Sequence, residues 1–177
     1  MAHGTERSVK MLAAALEKEE QGRQFYKEAV SKCSNELGKQ MFQRLMADEG
    51  IHIRRIKDIY TALEGGQGWS DKWKAHQGEV EDLQKLFAER IEKLGPKVTA
   101  AAGDIEALEI GIEMEQGAIT FYDDHLKEAA DPLEREFVSL LADEERGHYA
   151  ALKDLTLYLQ NPESWFAEKE HHGLDGA

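Results

Sequence analysis

Apolar residues recur at three- and four-residue steps through four long stretches of the chain, and those steps predict four amphipathic helices. The first stripe is Leu12, Leu16, Tyr26 and Val30, on a helix over about 6–33 that Thr5 or Ser8 can cap. A turn at Ser34-Asn35 leads into the second helix, over about 36–64, with the stripe Met41, Leu45, Ile56, Ile59 and Leu63, and Gly65-Gly66 ends it. The third stripe, Ile105, Leu108, Ile112, Ile119, Tyr122 and Leu126, predicts a helix over about 104–130 capped by Asp104. Asp131-Pro132-Leu133-Glu134 places a capping Asp, a first-turn Pro and a reciprocating Glu ahead of the fourth helix, over about 132–160. Its stripe is Phe137, Leu141, Leu152, Leu155 and Leu159, and Asn161-Pro162 stops it.

The stretch 65–103 is long for a connection inside one domain. Trp69 and Trp73 are expected to anchor its start, and Val80, Leu83, Phe87, Ile91 and Leu94 give a crossover helix over about 80–94 before Gly95-Pro96 breaks it. Residues 161–177 read as a polar tail with one helical turn at most. The expectation is one all-α domain over 1–177: two antiparallel hairpins joined by a long, partly helical crossover.

The polar residues inside the stripes change this picture. Glu19, Glu49, His52, Glu115, Glu145 and His148 all occupy core positions, while Glu20, beside Glu19, shares its face with Glu17, Gln24 and Lys27 and points to solvent. The six fall into two copies offset by 96 residues, Leu12–Leu63 and Leu108–Leu159. Each copy carries a Glu, then Phe-Tyr (Phe25-Tyr26, Phe121-Tyr122), then Glu-x-x-His, and Leu12/Leu108, Leu16/Ile112, Leu45/Leu141 and Lys57-Asp58/Lys153-Asp154 agree at the same offset. Each Glu pair flanks its turn at nearly equal distance, so an antiparallel hairpin brings the pair to one height, and two hairpins about a pseudo-twofold axis bring all four into one layer. Each His lies one turn beyond its Glu on the same face.

A lone Glu or His in a stripe is ordinarily a snorkelling or hydrogen-bonded residue. Four carboxylates in one dry layer repel one another, and burying each unpaired costs several kcal/mol. No Lys or Arg stands at a stripe position nearby, and Arg23, which adjoins the first stripe, is a single cation. Two divalent cations balance the set, and hard carboxylates with imidazole suit iron or manganese better than zinc or copper. In the simplest assignment each metal takes one His and one terminal Glu, Glu19 or Glu115, while Glu49 and Glu145 bridge and form the catalytic pair. Tyr26 and Tyr122 lie two turns past Glu19 and Glu115, where their hydroxyls either reach ligand carboxylates or are plain core aromatics.

Composition removes alternatives. A net charge of −13 opposes nucleic-acid binding. One cysteine, Cys33, supports neither a disulfide framework nor a Cys-x-x-Cys metal site. Met1–Lys10 lacks the apolar core of a signal peptide, and no apolar run approaches a membrane span, so a cytoplasmic protein is expected. Asp48 and Glu144, next to the Glu of each Glu-x-x-His, either hydrogen-bond a metal-bound His across the bundle or are solvated, the second being the expectation, and His76, His125 and Cys33 are expected to be structural or exposed. His171-His172 belongs to the tail. Gly22, one turn past Glu19, either permits close approach or weakens its helix.

On Glu19-x-x-Gly22-x-x-Phe25-Tyr26, Ala47-Asp48-Glu49-x-x-His52, the Glu115 to Phe121-Tyr122 segment and Ala142-Asp143-Glu144-Glu145-x-x-His148, the chain resembles the rubrerythrin branch of the ferritin-like superfamily. That resemblance implies a ferritin-like bundle with a di-iron carboxylate site reacting with hydrogen peroxide or dioxygen. Rubrerythrins usually carry a rubredoxin domain, absent here, so an external electron-donor protein is implied, and a homodimer is expected. They also carry an extra Glu one turn after the third-helix ligand, where this chain has Ala118. The haem-binding Met of bacterioferritin-like proteins is Gly50 here, so no haem is expected. A ferritin-like ferroxidase or iron store, and a metal-binding bundle without turnover, are the alternatives.

Overall fold

Asn35 and Asp131 start two long helices in the same way. Asn35 Oδ1 accepts from Gly38 N, and Asp131 Oδ1 accepts from Leu133 N and Glu134 N, each satisfying amides that the first helical turn leaves without a partner. A computed structural model describes residues 2–76 and 78–174, with side chains described for 5–76 and 78–169. It contains α1 (Ala2–Lys32), α2 (Glu36–Glu64), a 3-10 turn (Lys72–His76), α3 (Leu83–Leu94), α4 (Ala102–Glu128), α5 (Pro132–Gln160) and α6 (Pro162–Leu174), and no strand among the described residues. No helix is long and apolar enough to cross a membrane. The bundle is all-α. The α1–α2 and α4–α5 hairpins carry the most extensive packing, and α1 touches α4 much less.

Each hairpin turn is tied to the helix start of the other hairpin. Asp104 accepts from Ser34 N, Ser34 Oγ, Asn35 N and Ala101 N. It is therefore the third residue of α4, reaching back across the helix start and over to the α1–α2 turn, and not the cap itself. At the opposite end Glu134 accepts from Ser8 Oγ and from Arg7 Nη2 at 2.5 Å. The sequence has it reciprocating to Asp131; it reaches α1 instead. Ser8 and Asp104 stand at the same 96-residue offset, but their partners do not: Glu134 corresponds to Gly38, not to Ser34 or Asn35, so the two ties differ in detail.

The apolar core is in two pieces. One holds Tyr26, Leu45, Phe87, Leu108, Leu155 and Trp165; the other holds Leu12, Ile56, Trp73, Tyr122, Phe137 and Leu141. The polar residues Glu19, Glu49, His52, Glu115, Glu145 and His148 are buried with them, none more than 4 % exposed. Trp69 and Trp73 both pack on Phe137, anchoring the start of the crossover as expected. α3 begins at Leu83, not near 80, because Asp82 caps it by accepting from Lys85 N, and Gly95 (φ 71°) ends it in a conformation that suits glycine. The C-terminal stretch departs most from the sequence reading. It is a 13-residue helix, α6, started by Asn161 and held down by Trp165, which is 2 % exposed and packs edge-on against Tyr158. The side chains of His171 and His172 lie outside the described residues.

Candidate metal centre

α1 and α4 each bring one Glu to the centre of the bundle, and α2 and α5 each bring Glu-x-x-His. Glu19 is buried and Glu20 exposed, as the stripe requires. The six side chains form two overlapping groups, Glu19–Glu49–His52–Glu145 and Glu49–Glu115–Glu145–His148, in each of which the ligand atoms lie within 4.8 Å of one another. Glu49 and Glu145 belong to both groups. Glu145 stands between the two rings: its Oε1 is 3.1 Å from His52 Nδ1 and its Oε2 is 3.3 Å from His148 Nδ1. The rings stack with centroids 5.6 Å apart.

Both imidazoles are oriented from behind. His52 Nε2 is 3.1 Å from Glu144 Oε2, and His148 Nε2 is 3.2 Å from Asp48 Oδ2. Carboxylates accept, so each Nε2 carries the hydrogen and each Nδ1 faces the acidic layer. Asp48 and Glu144 are thus correctly placed partners of the histidines rather than the solvated residues expected. Glu144 also accepts from Arg55 Nη1 at 2.6 Å, and Arg55 is fully buried. The expectation that no Lys or Arg stands at a nearby stripe position fails at this residue, one turn past His52. The spacing Glu49-x-x-His52-x-x-Arg55 is its only sequence signal. Two tyrosines hold the single glutamates crosswise: Tyr26 of α1 donates to Glu115 of α4, and Tyr122 of α4 donates to Glu19 of α1. Gly111 makes room for this, since a Cβ there would lie 3.4 Å from Tyr26 Cε1.

Without a cation the layer is electrostatically strained. Burial, then the charges of Glu19 and Glu145, push the Glu49 carboxyl well above its usual range, and burial with the Glu145 charge does the same to Glu115. Burial opposes a charge on His52 and on His148. It is outweighed at His52 by the Glu145 and Glu19 charges and at His148 by the hydrogen bond to Asp48, so both rings hold a proton strongly. Glu145 stays ionised despite its burial, because His52 and His148 flank it. Burial and the adjacent carboxylates keep Tyr26 and Tyr122 neutral.

The donor set fits two metal ions. Glu49 Oε2 and Glu145 Oε1 are buried without a hydrogen-bond partner, and both imidazoles turn Nδ1 into the layer. A cavity of about 190 Å³ opens onto these carboxylates between Lys18, Gln21 and Gly22 of α1 and Glu113, Met114, Gly117 and Ala118 of α4. A Cβ on Gly22 would stand in ordinary contact with Glu49 Oε1, at 3.5 Å, so the wall of the cavity at Gly22 lies directly against that carboxylate.

The remaining candidates lie apart. His76 Nδ1 pairs with Glu79, His125 Nδ1 donates to Phe121 O, and Cys33 is a buried thiol that burial pushes up to about 11. The model of the family described as Rubrerythrin matches residues 10–156, a span that includes all six layer residues and both tyrosines. No curated protein and no solved structure matches the chain.

Proposed function

From the chain's membership of the rubrerythrin family, with a family match over residues 10–156, we propose that the buried layer is a di-iron centre reducing hydrogen peroxide or dioxygen with electrons from a separate donor protein. The observation that carries this reading is the sharing of Glu49 and Glu145 between two four-residue ligand groups. Glu19 and His52 would hold one ion, Glu115 and His148 the other, and Glu49 and Glu145 would bridge them. Iron, cycling between its ferrous and ferric forms, supplies one electron per ion. Manganese has the same ligand preferences and is the runner-up metal.

The chain's own residues do the rest. Tyr26 and Tyr122 fix the terminal glutamates, and Asp48 and Glu144 fix the histidine tautomers, so the donors are in place before metal arrives. The two apolar core pieces keep bulk water out of the layer, which leaves the α1–α4 cavity as the approach for a small oxidant. A cytoplasmic setting and a homodimeric assembly belong to the same proposal. Anaerobic loading followed by elemental analysis should give two irons per chain. The ferrous protein should then consume peroxide repeatedly when a reductant is supplied. A well-folded protein that takes up no metal would overturn the reading.

Ala118 favours one second reading. Its methyl group puts no further carboxylate on the cavity wall, and the four-Glu, two-His set then equals that of a ferroxidase that oxidises iron for storage. A cage-sized particle by light scattering, with more than two irons per chain retained as ferric mineral, would select it.

A further inference from the structure

The repeat that builds the site is broken one turn beyond the histidines. Position 55 on α2 is Arg, and the equivalent position on α5 is Ala151; both are fully buried. Arg55 Nη1 donates to Glu144 Oε2, the same oxygen that faces His52 Nε2 at 3.1 Å. Asp48, behind His148, has no cation beside it: its hydrogen bond is to His148 alone among the described residues. Arg55 is also held from its far side, where Nη2 donates to the His76 carbonyl.

We infer that Arg55 makes the two metal positions unequal, with the His52 side the weaker. The inference rests on the dinuclear reading above. An imidazole whose outer N–H donates to a carboxylate becomes a stronger donor at its inner nitrogen, in proportion to the charge the carboxylate keeps. Arg55 takes up part of the Glu144 charge, so His52 is strengthened less than His148. Arg55 also sets a full positive charge one turn from His52 in a buried region where solvent screens little. Both effects disfavour a cation at the His52 side, and neither has a counterpart at His148.

Two ions that share carboxylates repel each other, so two binding steps alone prove nothing. The order of filling is the readout, and the probe is Co(II) titrated anaerobically into the metal-free full chain, followed by visible absorbance and heat. His148→Ala is expected to weaken the first step about tenfold more than His52→Ala does, within the range typical of outer-sphere effects. Arg55→Met is expected to bring the two losses to within about threefold of each other. Glu144→Gln, which strands the Arg55 charge, is expected to widen the gap. Opposite signs for these two variants separate tuning from a packing role, which moves both the same way, and Arg55→Gln, which also removes the charge, repeats the test if Arg55→Met does not fold. Equal first-step losses for the two histidine variants, or a gap that Arg55→Met and Arg55→Gln leave unchanged, would overturn the inference while leaving a dinuclear site intact. Fewer than two Co(II) bound by the unaltered protein would instead overturn the dinuclear reading and the inference with it.

Discussion

Tyr26 sits on α1 two turns past Glu19, yet its hydroxyl is bonded to Glu115 on α4, and Tyr122 returns the same bond from α4 to Glu19. Each half of the repeat therefore positions the terminal glutamate of the other half. Tyr26→Phe leaves a buried Glu115 oxygen without its donor. It is expected to lower stability by about 1–3 kcal/mol and metal affinity by about tenfold or more. Tyr122→Phe should match it through Glu19. Thermal unfolding and a Co(II) titration of the two variants check both effects, and the double variant should depart from the sum of the single losses, because Glu19 and Glu115 share Glu49 and Glu145 in one layer.

The layer is arranged for cations at the expense of the metal-free fold. Glu49 brings a buried oxygen with no hydrogen bond into a site with three other carboxylates. Glu49→Gln keeps the volume and removes one acidic group. The metal-free variant is expected to be more stable than the parent by about 1–2 kcal/mol, a rise of about 3–6 °C for a chain of this size. Adding metal should raise the parent's unfolding temperature substantially and the variant's much less, since it has lost a shared ligand. Calorimetry with and without metal reads both directions; a variant less stable without metal and unchanged with it would contradict the account.

Asp104 supplies a pH dependence that is separate from the metal layer. Burial raises its carboxyl, but hydrogen bonds from Ser34 Oγ, Ser34 N and Ala101 N outweigh burial and hold it down to about 2, against an ordinary 3.8. A depressed acid stabilises the fold fully above its unfolded value and loses that contribution as pH falls toward the folded one. Asp104→Asn is therefore expected to cost about 2 kcal/mol at pH 7, with the gap to the parent shrinking between pH 4 and pH 2. Urea unfolding of both proteins over a pH series tests it.

Periodicity and capping make much of the fold legible in the sequence. Asn35 and Asp131 mark the observed starts of α2 and α5, and the stripe separates buried Glu19 from exposed Glu20. What the stripes could not register are contacts made by neighbours of a stripe residue. Asp48 and Glu144 each sit one residue away from a layer glutamate, at the edge of its face, and their burial depends on a histidine from the opposite hairpin. Arg55 is buried by Glu144 and the His76 carbonyl, from an element 89 residues away and from the 3-10 turn of the crossover, and no local period records either. The C-terminal stretch departs from its pattern for a related reason: polar residues dominate it, while Trp165 and Phe166 pack on Tyr158 and hold it down. Trp165→Ala is expected to cost about 3–5 kcal/mol and to release α6, which limited proteolysis after Asn161 would register.

Gly22 and Ala118 occupy equivalent positions of the two copies and face each other across the cavity that opens onto the layer. Their small size affects two things that substitution can separate. Ala118→Leu narrows the cavity from the α4 side, where Ala118 is not among the layer residues. It should keep two metals per chain while slowing peroxide consumption and weakening azide binding about tenfold, the effect of a little over 1 kcal/mol. Gly22→Val acts differently, because its Cβ would already lie 3.5 Å from Glu49 Oε1 and its branches would reach further. It is expected to displace Glu49 and to lose metal as well as activity. Elemental analysis beside azide titration distinguishes the outcomes. If Ala118→Leu bound azide as the parent does, the oxidant would have to approach the layer by another route than the α1–α4 seam.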